Sequence, residues 1–291
     1  IKHPVVNDRD FEVWQEYAVQ AWPTMVLIDP DGYIVNTQSG ESAPEAIDSQ
    51  IASLIQSFSS KGNLNRTPLG KPSQQITSPP SLLEFPSKVL VDSAGGRLFI
   101  ADSGHNRIIV ANRHSGEVET IIGSGETGFA DGRFDQACLN HPQGMELVDD
   151  TLYIADTRNH ILRAADLKTG IITTLAGTGE QGSCGHGSGN ALDTLLASPW
   201  DVIWDGYQLQ IAMAGLHQIW YYDPATQEIG VLAGNGQEDL VDGSQQHIAL
   251  AQPSGLARNG RGRIFVVDSE TSAIRDLQTI DNITVRTIIG H

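Results

Sequence analysis

The chain has 291 residues, with 18 basic against 35 acidic side chains and a formal net charge of -17. A surface this acidic repels phosphate backbones and anionic lipid, which argues against nucleic-acid and membrane-surface partners, and no apolar run reaches the roughly 18 residues of a bilayer span. The 30 glycines scattered among short Val/Ile/Leu runs favour a turn-rich, mostly β architecture, while Cys138 and Cys184 are too few for a disulfide framework and read as free thiols of a reducing, cytoplasmic compartment.

In chain order, His3-Pro4-Val5-Val6 reads as a short strand. Asn7 and Asp8 are helix caps ahead of Phe11, Trp14 and Tyr17 at helical spacing. Met25–Ile28 is a β-type run, Asp29-Pro30-Asp31-Gly32 a turn, and Tyr33-Ile34-Val35 a returning strand. A hairpin is therefore predicted over 25–35. Ser42 and Glu45 form a capping box before the apolar stripe Ile47, Ile51, Leu54, Ile55 and Phe58, which predicts an amphipathic helix.

This order, with Trp22-Pro23-Thr24 just ahead of the hairpin, resembles the C-terminal half of a thioredoxin-like domain. The resemblance implies a cis X-Pro bond in that tripeptide. It makes Trp22, Pro23 and Thr24 the candidate substrate-binding residues, facing the redox cysteines of the family. Those cysteines sit in the half of the fold that precedes this stretch. No cysteine occurs before Cys138, so no catalytic residue is assigned.

Residues 59–84 are rich in Ser, Pro and Gly without periodicity, and are predicted to be a linker. The expected division is 1–58, the partial thioredoxin-like domain; 59–84, the linker; and 85–291, a repeat region. There LFIADSGHNRI, LYIADTRNHI, LQIAMAGLHQI and IFVVDSETSAI recur, opened by Pro86, Pro142, Pro199 and Pro253 at spacings of 56, 57 and 54. Leu83, Leu139, Leu196 and Leu250 stand three residues before each proline. Asp131-Gly132, Ser188-Gly189 and Asp242-Gly243 begin eleven before the next one. A fixed period with four short strands per unit predicts a β-propeller.

The units resemble the NHL repeat. Pro142-Gln143-Gly144 and Pro253-Ser254-Gly255 match its opening, and Ala155-Asp156-Thr157-Arg158-Asn159-His160 its turn. The third unit departs most, because Met213 replaces the turn aspartate. Propellers of this family usually have six blades, and four units are visible, so the sequence is expected to be a fragment cut at both ends.

Asp102, Asp156 and Asp268 recur once per unit, which predicts acceptors of backbone N–H bonds and not catalysts; Asn106 and Asn159 are read the same way. Cys184 and His186 lie in a Gly-rich stretch with too few neighbours for a structural zinc. No metal ligand set and no cofactor is assigned.

The combined resemblance, to thioredoxin-like NHL-repeat proteins, implies a propeller that binds protein or peptide. It would be coupled to a module with a thiol-disulfide redox role. The alternative is a calcium- or zinc-dependent hydrolase or lyase with its metal in the propeller channel.

Overall fold

The structure is a computed structural model. It describes residues 8, 12–19, 24–39, 44–62, 64, 81–92, 94–183, 188–244, 247–259, 263–279 and 282–290. Contacts divide the chain into two units, Ile1–Pro79 and Pro80–His291.

In the first unit the Asp8 carboxylate accepts the N–H groups of Val13 and Trp14, at 3.1 and 2.8 Å, and so satisfies orphan donors at the start of the helix Glu12–Glu16. Strands Thr24–Ile28 and Ile34–Ser39 form the expected antiparallel hairpin. Its turn is built as the sequence suggests: Asp29 Oδ1 accepts from the N–H groups of Asp31 and Tyr33, and Gly32 takes the left-handed φ of +92°. The second helix runs Pro44–Ser60. It therefore absorbs Ser59 and Ser60, which the polar composition had placed in the linker; continuous backbone bonding outweighs weak helix propensity at a helix end. The expected strand at His3–Val6 and the cap at Ser42 lie outside the described residues.

The second unit is mostly β, in a four-blade propeller arrangement of antiparallel sheets. Blade 1 comprises Pro86–Asp92, Arg97–Asp102, Arg107–Asn112 and Val118–Ile122. Blade 2 comprises Pro142–Val148, Thr151–Asp156, Ile161–Asp166 and Ile171–Ala176. Blade 3 comprises Pro199–Trp204, Leu209–Met213, Gln218–Asp223 and Glu228–Ala233, and blade 4 Pro253–Arg258, Ile264–Asp268, Ala273–Gln278 and Thr284–Ile289. Each predicted proline opens an innermost strand. The Asp-Gly and Ser-Gly marks have a role that the sequence did not reveal. They lie on short fifth strands, Gly132–Arg133, Ser188–Asn190 and Gly243–Ser244, paired to the outermost strands of blades 2, 3 and 4.

The inner strands pack in succession, blade 1 on 2, 2 on 3 and 3 on 4. Strand alternation gives each middle blade two apolar faces. Phe99, Ile108 and Ile122 of blade 1 meet Met145 and Ile154 of blade 2; Leu162 meets Val202, Ile211 and Trp220; Ala212 and Ile219 meet Leu256 and Val266. Each fully buried large apolar side chain contributes about 1.5–3 kcal/mol. No helix among the described residues is long and apolar enough to cross a membrane.

Candidate functional site

The axis of the propeller is set by the first residues of the four inner strands. Two residues after each opening proline stand Lys88, Gly144, Asp201 and Gly255. Blades 2 and 4 thus place glycine where blades 1 and 3 place opposite charges. Lys88 Nζ bonds Asp201 Oδ2 across the axis. Gly144 is what makes this possible: a Cβ there would lie 2.4 Å from both Cα and Oδ1 of Asp201. Asp201 also accepts the N–H of Leu256 in blade 4 at 2.8 Å and that of Val202 at 2.9 Å. One side chain therefore touches all four blades, while its carboxylate is buried with 2% exposure.

Inner strands are sheet edges with unpaired backbone groups, and such edges need covering. Here those of blades 2, 3 and 4 are each bonded from the preceding blade. The Ser87 hydroxyl donates to the carbonyls of Pro142 and Gln143, at 3.3 and 3.4 Å. The Glu146 carboxyl, which stands where blades 1, 3 and 4 have Leu90, Ile203 and Ala257, accepts the N–H of Trp204. Asp201 then serves Leu256. Burial holds the carboxyls of Glu146 and Asp201 above the ordinary range, opposed for Asp201 by Lys88. The residues one position before Lys88, Gly144, Asp201 and Gly255, which are Ser87, Gln143, Trp200 and Ser254, are all at least partly exposed.

The recurring turn acids are framework. Asp102, Asp156 and Asp268 accept the N–H groups of Glu84, Asn140 and Ala251 at 2.6, 2.7 and 2.7 Å. These donors are not local: each lies two residues before the opening proline of the same blade, so the aspartate pins the start of its own sheet. The second oxygen holds a guanidinium. Arg163 Nη1 bonds Asp156 Oδ2 at 3.1 Å and Arg275 Nη1 bonds Asp268 Oδ2 at 2.7 Å; both arginines are fully buried. Their Nη2 groups reach Asp131 and Asp242 at 2.8 and 3.0 Å. Those two aspartates in turn accept N–H and hydroxyl bonds from Thr174 and Thr287 on the outermost strands. Burial pushes the Asp156 carboxyl up to about 6, against the pull of Asn140, Asn159 and Arg163. In blade 1, Asp102 Oδ2 is shared by His105 and Arg107.

Blade 3 lacks the whole device. Met213, Trp220 and Ser188 occupy the positions of the turn aspartate, the arginine and the outer aspartate. Trp220 is buried against Leu162, its Nε1 donating to Gln218 Oε1 at 2.9 Å. The expectation of a different turn in the third unit is met, and the structure adds that all three polar members were exchanged together. Asn106 accepts, as expected, from the His141 N–H at 2.9 Å. Asn159 instead donates, to Gly128 O and Asp156 Oδ2, because it is the counterpart of His105; His160 is the counterpart of Asn106.

Of the sequence-derived candidate residues, Trp22 and Pro23 lie outside the described residues, and Thr24 opens the first hairpin strand. Cys184 and His186 also lie outside them. Among the described residues no three His, Cys, Asp or Glu side chains gather as a metal site. The axial group was missed although its signal was visible: Lys88 and Asp201 replace glycine at the third position of an otherwise repeated Pro-x-Gly opening.

Sheets in one repeated order around an ion-paired axis define a β-propeller protein, and comparison with known proteins places it more narrowly. No family model matches the chain. NHL repeat-containing protein 2 of Gallus gallus is 37% identical over 313 residues, 100% of this chain and 43% of that protein. Protein SUPPRESSOR OF QUENCHING 1, chloroplastic, of Arabidopsis thaliana is 40% identical over 290 residues, 96% of this chain and 28% of that protein. The chain is thus homologous over its whole length to NHL repeat-containing proteins, and spans less than half the length of these relatives. Among solved structures, an auxiliary nutrient binding protein from Bacteroides ovatus superimposes with a TM-score of 0.51 at 16% identity, over 72% of this chain and 48% of that one; the likeness is one of fold.

Proposed function

We propose that the propeller is a scaffold for a protein or peptide partner, and that it works with a thioredoxin-like module whose redox cysteines lie outside these 291 residues. The observation that carries the binding reading is the axial opening. Lys88 and Asp201 neutralise each other at the third position of their inner strands. At the second position of the four inner strands stand the carbonyl-bonded Ser87, Gln143, the 38% exposed Trp200, and Ser254, whose hydroxyl pairs with that of Ser269. An indole beside amide and hydroxyl groups suits an extended peptide, which offers backbone donors and acceptors and side chains to stack. The repeated turn carboxylates are already engaged by backbone N–H groups and guanidinium groups, so they are not available for chemistry on a substrate.

The binding reading is tested by selecting a displayed peptide library on the full 291-residue chain. We expect an enriched consensus whose affinity, measured by calorimetry, falls at least tenfold in Trp200→Ala at unchanged melting temperature. No enrichment, or binding indifferent to Trp200→Ala and Gln143→Ala, would sink it. A calcium-specific rise in melting temperature of the same chain would instead favour the hydrolase or lyase reading. Support for the redox half is the order of Trp22-Pro23-Thr24, hairpin and helix. Its readout is disulfide reduction by this chain joined to an N-terminal segment that carries Cys-x-x-Cys, and failure to reduce any disulfide substrate would remove it.

A further inference from the structure

Asn106, His160 and His217 end the turns between the second and third strands of blades 1, 2 and 3. All three are left-handed, at φ 52°, 54° and 53°. Asn and His are among the non-glycine residues that tolerate this region. Each aims an acceptor at the same target in the next blade, the backbone N–H of the residue just before the opening proline. Asn106 Oδ1 accepts from His141 at 2.9 Å, His160 Nδ1 from Ser198 at 3.0 Å, and His217 Nδ1 from Gln252 at 3.2 Å. The three pre-proline residues are left-handed as well, at φ 54°, 50° and 53°. The clasp therefore holds a backbone conformation that costs free energy in an L residue.

An imidazole nitrogen accepts a hydrogen bond only when it carries no proton. His160 and His217 are thus neutral Nε2–H tautomers in this arrangement, whereas the Asn106 amide does not titrate. We propose that the seams between blades 2 and 3 and between blades 3 and 4 are acid-releasable clasps, opened when His160 and His217 take up a proton at Nδ1, while the clasp between blades 1 and 2, made by the Asn106 amide, carries no titratable acceptor. Burial holds His160 below the ordinary 6.5, in keeping with a ring kept neutral.

The charged groups nearby are engaged elsewhere. Arg158, on the His160 turn, acts on the His141 ring. Asp156 and Arg163 behind that turn pair with each other, as do Asp268 and Arg275 behind Gln252. Among the described residues no carboxylate or guanidinium bonds either ring. The stability contribution is full above the ordinary histidine pKa. For His160 it declines as pH falls below it, because the unfolded chain then takes up a proton that the buried, clasped ring refuses. Trp200 and Asp201 follow Ser198 closely and Ser254 follows Gln252, so release of the clasps would loosen the axial opening. The inference itself stands on the hydrogen bonds, whether or not that opening binds a peptide.

Amide hydrogen exchange of the full chain at pH 7.5 and 5.0, expressed as protection factors, tests it. Protection of Ser198 and Gln252 should fall about fivefold at pH 5.0, the worth of one neutral hydrogen bond, and in a His141→Gln background, which removes the ring held low by burial at that seam, the amide of residue 141 should be unchanged. The double variant His160→Asn/His217→Asn copies the Asn106 clasp, since Asn Oδ1 and His Nδ1 occupy the same position on Cγ. It should keep the protection and lose the pH dependence. Asp156 titrates in the same range, but it bonds the Asn140 amide; its effect is read there and persists in the double variant. Nitrogen spectra of the two rings should show bare Nδ1 and protonated Nε2 at pH 7.5. An Nδ1–H tautomer, equal loss of protection at residue 141, or pH dependence at Ser198 and Gln252 that survives the double variant would each overturn the proposal.

Discussion

Lys88 and Asp201 show how much one position in a repeat can decide. Where the opening reads Pro-x-Gly the strand start merely fits; where it reads Pro-x-Lys and Pro-x-Asp in blades 1 and 3, the two blades are tied across the axis. A buried carboxylate that loses its cation is strongly destabilising, more so than removal of both partners. Lys88→Met should therefore cost about 3 kcal/mol in urea unfolding, and Lys88→Gly/Asp201→Gly, which restores the glycine of blades 2 and 4, should recover more than half of it. Strictly additive single-variant costs would show that the pair is not coupled. The residues were readable in the sequence as departures from a motif, yet their pairing was not. They are 113 positions apart, and only the packing of successive blades brings them together.

At the scale of the blade, the Asp–Arg–Asp relay and its absence define two kinds of sheet. Blades 2 and 4 bury a guanidinium between a turn carboxylate and the carboxylate of the residue just before the fifth strand. Blade 3 fills the same place with Trp220 and Met213. The two solutions are incompatible piecewise. Arg163→Met leaves Asp156 buried and uncompensated, and should lower stability by about 3–5 kcal/mol. Adding Asp156→Met should return a substantial part, because two apolar side chains then imitate blade 3. Thermal and urea denaturation check both, and a double variant no better than the single one would refute the compensation. The turn aspartates were legible from their recurrence, as was the anomaly at Met213. The arginine was not, because its partner just before the fifth strand belongs to a segment whose only mark in the sequence is a dipeptide.

For the propeller as a whole, what matters is which sheet faces are covered. The rows Val89–Ile100–Ile109–Ile121 and Val91–Leu98–Ala111–Val118 lie on the face of blade 1 turned away from blade 2. Val89 and Val91 are 61% and 52% exposed there. Val202, the counterpart of Val89 in blade 3, is fully buried against blade 2. Val89→Lys should thus change stability of this chain by no more than about 0.5 kcal/mol. Val202→Lys should prevent cooperative unfolding altogether, because it buries an unpaired ammonium between two sheets. Melting curves and circular dichroism separate the two outcomes, and equal damage from both would mean that the blade 1 face is covered in solution.

The sequence by itself determined the repeat, the blade boundaries, the hairpin with its Asp-Pro-Asp-Gly turn, and the structural role of the recurring aspartates. All of these are written in local patterns: a proline, an alternating apolar run, a turn signal. Tertiary structure alone decided the rest. It set Lys88 against Asp201, gave Asp156 and Asp268 their buried guanidinium groups, and made the left-handed Asn106, His160 and His217 into clasps on the next blade. Those choices depend on closing loops tens of residues long. No local propensity records which side chains then meet.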